Sequence, residues 1–213
     1  MDKKIAFLRQ EGIIHPDKLG MTIGIVGAGS VGGWTALALS KMGCSNVAVW
    51  DGDEVAEHNA GSQIFKMADS ERPKVEVLKE KLSLLTEFPI IAINSFWDGG
   101  FASENIVISA VDSIDTRKRL SESCGGWFID ARMAGNALEI YCIDTRSPED
   151  VAFYESTLFP EEETLPIACS GRSVVYNVFV CGGLIADLVA KIANGEKPPR
   201  EILFDFQNLT LFK

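Results

Sequence analysis

A β-branched run from Thr22 to Val26 feeds directly into Gly27-Ala28-Gly29-Ser30-Val31-Gly32, and from Val31 to Met42 apolar residues recur at helical spacing. Strand, glycine turn and helix in that order leave few folds open. The turn has to join a strand end to a helix N-terminus with a backbone bare enough for phosphates to approach. Val47–Trp50 reads as the next buried strand and stops at Asp51, 24 residues after Gly27. An acidic side chain at such a place reaches a ribose hydroxyl in a dinucleotide-binding unit. The pattern predicts a nucleotide site with Gly27, Gly29, Gly32 and Asp51 around it. A nicotinamide-dependent oxidoreductase and an ATP-using enzyme fit this much equally, since the same turn and acid serve any adenosine diphosphate moiety.

The remainder repeats the alternation of short apolar runs with helical patterns, the mark of a parallel sheet with crossover helices. A helix is expected after Pro73, with Val75, Leu78, Leu82 and Leu85 on its apolar face. Ile90–Phe96, Asn105–Val111, Trp127–Ala131 and Leu138–Ile143 read as strands, and Asp115–Ser123 as a helix. From Asp144 to Cys169 a proline-bearing acidic loop with one short helix is expected. Its Glu161–Glu163 run reads as a solvated face or as a contact for a basic partner tail. Val174–Ala193 reads as a buried helix ended by Asn194-Gly195, and Ile202–Phe206 with Leu209–Phe212 as a terminal strand pair. The fold class is α/β: a Rossmann-like three-layer domain, one unit over 1–213, with a mainly parallel central sheet and C-terminal antiparallel strands.

Charge narrows the partners. A formal net charge of −10 argues against nucleic acid, whose phosphates need clustered Lys and Arg. No apolar run of membrane-spanning length and no signal-peptide core is read, so no membrane partner and a cytoplasmic location are expected. The five cysteines are never spaced as C-x-x-C, so reduced thiols and no structural zinc are expected. His15 and His58 are assigned no role.

Beyond Asp51 the chain carries a polar stretch through Asp53, Asn59 and Gln63, with Lys74 nearby, where the carboxyl ends of strands bind ligands. A triphosphate with Mg²⁺ uses such a set, because the metal takes carboxylate and phosphate oxygens while a lysine offsets charge on the leaving phosphates. Hydride transfer needs none of it. Here the chain resembles the ThiF/MoeB/HesA family, which shares its adenylation domain with ubiquitin-activating enzymes. The matching pieces are Arg9-Gln10, the glycine turn, D-x-D-x-V-x-x-x-N-x-x-x-Q at Asp51 to Gln63, Pro73-Lys74-Val75, and Ala110-Val111-Asp112-Ser113 with Arg117. The resemblance implies that Asp51 binds the ATP ribose, Lys74 the phosphates and Asp112 the magnesium, and that Arg9 reaches into the partner subunit of a homodimer. It also implies the reaction, adenylation of the C-terminal glycine carboxylate of a ubiquitin-fold or sulfur-carrier protein.

Ser62 stands where the family has an arginine, with Lys66 or Arg72 as stand-ins, and Ser109 stands where it has an acid. These departures keep a second reading open, a nucleotide-binding module with impaired catalysis. Cys169 matches the place where some relatives carry a reactive cysteine, and it reads equally as an ordinary residue at a helix start. Arg132 reads as a substrate ligand or as a partner of Asp130.

Overall fold

The strand and helix patterns resolve, in the computed structural model, into one eight-stranded sheet with helices on both faces; the structure describes residues 3–101, 104–158 and 174–213. Cys169 and Glu161–Glu163 lie outside the described residues. The strands are β1 (Thr22–Val26), β2 (Asn46–Trp50), β3 (Ile91–Ile93), β4 (Ile106–Ser109), β5 (Trp127–Ala134), β6 (Ala137–Asp144), β7 (Glu201–Asp205) and β8 (Thr210–Phe212). The helices are α1 (Lys3–Ala6), α2 (Ser30–Met42), α3 (Lys74–Leu85), α4 (Ile114–Ser123), α5 (Pro148–Glu155) and α6 (Val175–Asn194).

Strand order is β3-β2-β1-β4-β5-β6-β7-β8. The first five in this order pair in parallel, and β6, β7 and β8 continue the sheet antiparallel. The apolar side chains of α2, α3 and α6 share one core with Ile23 and Ile25 of β1. Leu120 of α4 and Tyr154 of α5 cover the opposite face with Val26, Val107 and Phe128. Because β1 has β2 on one side and β4 on the other, successive crossovers leave in opposite directions there. A crevice opens at that reversal, outside the carboxyl ends of the strands.

Three elements differ from the sequence reading. β3 closes at Ile93, where Ser95 N donates to Ile93 O at 2.9 Å and turns the chain; Phe96 is therefore a loop residue. β5 runs on to Ala134, because it pairs with β6 in unbroken register from Trp127↔Asp144 to Ala134↔Ala137 around a two-residue loop. Such loops favour Gly and Asn, here Gly135 and Asn136. Finally, α6, 20 residues long with a mean hydropathy of 1.6, is long and apolar enough by length and composition to cross a membrane, which the sequence reading did not find. Its inner stripe, including Val178, Cys181, Ile185 and Leu188, packs into the core, and near its N-terminal end Tyr176 and Phe179 are half exposed, Phe179 edge-on against Trp34.

The N-terminal segment docks at the far end of α2 from the glycine turn. Phe7 packs over Gly43, and Gln10 Nε2 donates to Met42 O at 2.7 Å.

Candidate active site

The glycine turn is fixed by backbone contact. Gly27 has φ +101°, and a Cβ on it would stand 2.4 Å from Ala110 O, the first residue beyond β4. A Cβ on Gly32 would stand 1.8 Å from Gly27 O, so the turn folds onto the first turn of α2 only without side chains. Gly29 differs. A Cβ there would meet nothing nearer than Gln63 Nε2 at 3.9 Å, so this glycine faces open space at the N-terminus of α2.

That space is part of a cavity of about 540 Å³ lying over the reversal in strand order. Asp51 ends β2 at its wall and is only 8% exposed. Its Oδ2 accepts from Ala28 N at 2.7 Å and its Oδ1 from Asp53 N at 2.8 Å, so one carboxylate ties the glycine turn to the turn after β2. Lys74 opens α3 after Pro73, which caps the helix without a donor to leave unpaired. Lys74 N donates to Asp53 O at 3.0 Å, and Lys74 Nζ pairs with Asp53 Oδ2 at 2.7 Å. Across the cavity, Asp112 follows β4 and is exposed, while Ser113 caps α4 by accepting from Thr116 N at 3.2 Å. The cavity thus gathers Gly27, Gly29, Asp51, Asp53, Gln63, Lys74 and Asp112, all of them residues singled out in the sequence.

Others are placed elsewhere. Asn59 is buried and spends Oδ1 on Ala56 N at 2.8 Å; it shapes the short helix Glu57–Gly61 and does not line the cavity. Arg9 is exposed beside Gln10, at the C-terminal end of α2. The 13 residues of α2 separate it from the glycine turn by roughly 18 Å of helix, beyond its own reach. Ser62 Oγ is hydrogen-bonded to Ser30 Oγ at 3.0 Å, and its carbonyl accepts from Trp34 Nε1 at 2.8 Å. Neither stand-in for the family's arginine lines the cavity: Arg72 pairs with Glu80 at 2.5 Å, and Lys66 is exposed beyond the turn.

Sequence reasoning missed a buried ionic network under the β5 side of the cavity. Asp130, fully buried on β5, accepts at Oδ1 from Arg117 Nη1, and at Oδ2 from Arg132 Nε at 2.8 Å and from the Tyr154 hydroxyl at 3.0 Å. Arg117 Nη1 also donates to Ala131 O at 3.1 Å, and Arg132 holds Thr157 O at 2.8 Å. Arg132 therefore pairs with Asp130, as one of its two readings had it. Burial works against the Arg132 charge, but the Asp130 carboxylate beside it holds its pKa above the usual arginine range. Burial and the same carboxylate push the Tyr154 phenol up. Ser109, where the family has an acid, is fully buried and is the register partner of Asp130 across β4 and β5. A second carboxylate there would crowd the first on one sheet face, where like charges oppose each other.

A model of the ThiF family matches residues 17–212. The chain belongs to the ThiF family. This ThiF-family chain is 26% identical over 133 residues to tRNA threonylcarbamoyladenosine dehydratase 1 of Saccharomyces cerevisiae, covering 56% of this chain and 30% of that one. It is 30% identical over 108 residues to dehydratase 2 of the same yeast, covering 46% and 24%. It therefore spans less than a third of the curated relatives it matches. Among solved structures, Escherichia coli MccB crystallised with AMPCPP and MccA superposes with a TM-score of 0.71 at 16% identity, covering 92% of this chain and 64% of that one. PaaA superposes equally well, with a TM-score of 0.71 at 16% identity over 98% and 68%. At these identities the likeness establishes the fold, a ThiF-type sheet with a parallel core and antiparallel C-terminal strands.

Proposed function

We propose that this ThiF-family chain is an ATP-dependent adenylyltransferase that activates a carboxylate as an acyl-adenylate, with the C-terminus of a ubiquitin-fold or sulfur-carrier protein as the acceptor. The observation that carries the reading is the single cavity in which the open face of the glycine turn, the Asp51 carboxylate, the Lys74–Asp53 pair and Asp112 converge. Hydride transfer would leave Lys74 and Asp112 without a task. MccB, which shares the fold, has been crystallised with ATP and with MccA.

The residues fit the nucleotide. Gly29 leaves room for phosphate at a helix N-terminus, whose partial positive charge favours anions. Asp51 sits where a ribose hydroxyl would find an acceptor. Lys74 is positioned to offset the charge of departing pyrophosphate. Among the described residues no cluster of three metal-ligating side chains exists, so magnesium would be held by Asp112 together with phosphate oxygens. Such an ion would neutralise charge on the phosphates. In the reaction a carboxylate oxygen bonds to the α-phosphorus while the bond to the pyrophosphate oxygen breaks, and the chain supplies alignment and cations.

Two further features belong to this reading. Arg9, out of reach of its own cavity, serves the cavity of a second copy in a homodimer. A polypeptide acceptor suits the chain better than the nucleoside carboxylate of threonylcarbamoyladenosine carried on tRNA, because a net charge of −10 repels a polyanion. The pairing of Ser62 with Ser30, and the absence of Lys66 and Arg72 from the cavity, favour one alternative: a module that binds ATP without turning it over.

ATP–pyrophosphate exchange with Mg²⁺ and small glycine-tailed ubiquitin-fold proteins decides between them. Exchange that requires the partner's terminal carboxylate and disappears in Lys74→Ala and Asp112→Ala supports adenylation. ATP binding without exchange for any partner favours the impaired module, and no ATP binding overturns both.

A further inference from the structure

Phe96 is the most exposed aromatic residue on the cavity wall, at 69%. It follows β3, the strand beside β2, and so stands next to the turn that carries Asp51. The contact is close. A Cβ on Gly52 would stand 2.8 Å from Phe96 Cδ2 and 2.9 Å from Cε2, so the bare backbone of Gly52 lets one edge of the ring rest on the Asp51–Asp53 turn. No other aromatic ring stacks on Phe96 among the described residues.

The neighbouring aromatics are already used. Trp97 is 8% exposed, stacks on Phe101 with centroids 5.3 Å apart and planes 20° apart, and carries the Arg119 guanidinium 5.4 Å from its ring centre. Its indole N–H donates to Gly100 O at 3.3 Å. Trp50, which also lines the cavity, meets Phe101 edge-on at 5.9 Å, so Trp50, Trp97, Phe101 and Arg119 build one wall, and Phe96 is the exposed aromatic ring on the lining that no other ring engages among the described residues.

A nucleotide whose phosphates lie on the glycine turn and whose ribose meets Asp51 has one direction left for its base. That direction continues past Asp51, away from the glycine turn, to the loop after β3. We propose that Phe96 is the stacking platform for the purine base of the nucleotide, backed by the Trp97–Phe101–Arg119 wall and made possible by Gly52. The inference rests on the ATP reading above. Stacking of a base on an aromatic ring stabilises binding without demanding a particular edge pattern, because every base offers a π face. The exposed ring is then the half of a contact that the nucleotide completes.

The test is calorimetric titration of the full chain, wild type and variants, with ATP and with inorganic triphosphate, which keeps the phosphates and lacks the base. Phe96→Ala is expected to weaken ATP by about tenfold or more, the lower end of base–aromatic stacking, while triphosphate affinity stays within about twofold. Phe96→Trp should hold ATP affinity near wild type. The residue is exposed, so the substitutions leave the core alone; melting temperatures matched to wild type confirm it. Wild-type ATP binding that is indifferent to Phe96→Ala overturns the platform and leaves the ATP reading standing. An equal loss for ATP and triphosphate overturns it too, by showing a general disturbance of the site. A wild-type chain that binds no ATP overturns both.

Discussion

Lys74 and Asp53 are joined twice, by an ion pair of 2.7 Å between Nζ and Oδ2 and by a backbone hydrogen bond of 3.0 Å from Lys74 N to Asp53 O. The lysine side chain is 11% exposed and the aspartate 54%, so the cation is held inward by a partner that water can take over. An arriving phosphate can replace Asp53 without moving the ammonium. Lys74→Ala is therefore expected to lower ATP–pyrophosphate exchange by about 10²-fold or more, the scale of a lost charge stabiliser. Asp53→Asn keeps the backbone bond and should lower it by less than about tenfold. Steady-state exchange at saturating partner reads both.

The three glycines of the turn should separate in a stability series. Gly27→Ala and Gly32→Ala push a Cβ into backbone oxygen and should lower unfolding free energy by at least about 2 kcal/mol. Gly29→Ala meets no backbone and should unfold within about 0.5 kcal/mol of wild type, yet bind ATP more weakly. Urea unfolding alongside ATP titration measures both halves of the prediction.

Asp130→Ala strands the buried Arg117 guanidinium, the partly buried Arg132 guanidinium and the buried Tyr154 hydroxyl, and should destabilise the chain by about 3–5 kcal/mol. Tyr154→Phe removes one hydrogen bond to the same carboxylate and should cost about 1–3 kcal/mol. An Asp130→Ala protein that melts with wild type would show the network to be energetically idle.

Alkali should unfold the protein through groups buried in their neutral form. Burial pushes the Cys44 and Cys181 thiols up to about 12, and raises the Tyr141 and Tyr154 phenols further above their ordinary range. A folded-state pKa above the unfolded one contributes stability that is fully present below the unfolded value and is lost as pH rises through the folded value. For the thiols that window opens near the unfolded value of about 8.5 and extends to about 12. Unfolding midpoints in urea should fall across it. In Tyr176→Phe, tyrosinate absorbance from Tyr141 and Tyr154 should appear only together with loss of near-ultraviolet circular dichroism. Cys44, Cys124, Cys142 and Cys181, all buried, should resist Ellman's reagent at pH 8 until the chain unfolds.

The first half of the nucleotide site was readable because its constraints are local. A glycine whose missing Cβ faces its own turn, and an acid that closes the next strand, announce themselves within 25 consecutive residues, Gly27 to Asp51. Asp53 and Lys74 could be read as a polar set close beyond Asp51, whereas Asp112 needed the family pattern, since a separate segment after β4 supplies it. Asn59 belonged to that pattern too, but its side chain is committed to Ala56 N, a bond that motif spacing does not reveal. The Asp130 network could not be read at all beyond the pairing with Arg132, because Arg117 and Tyr154 meet Asp130 only once β4, β5 and α5 have been laid in register. Helix α5 did carry its own signal. Ser147 before Pro148, with Asp150 N donating to Ser147 Oγ, is a helix start written in sequence.

The place of Arg9 at the far pole of α2 has a consequence for how activity should scale. A side chain that acts within its own subunit gives a specific activity that does not change with dilution. One that acts only across a boundary makes each cavity complete in proportion to the fraction of chains that are paired. If Arg9 takes part in the proposed adenylation, that activity weakens per molecule as the chain is diluted, and mixing an Arg9→Ala chain with a Lys74→Ala chain restores one working cavity in each mixed pair from two inactive parents.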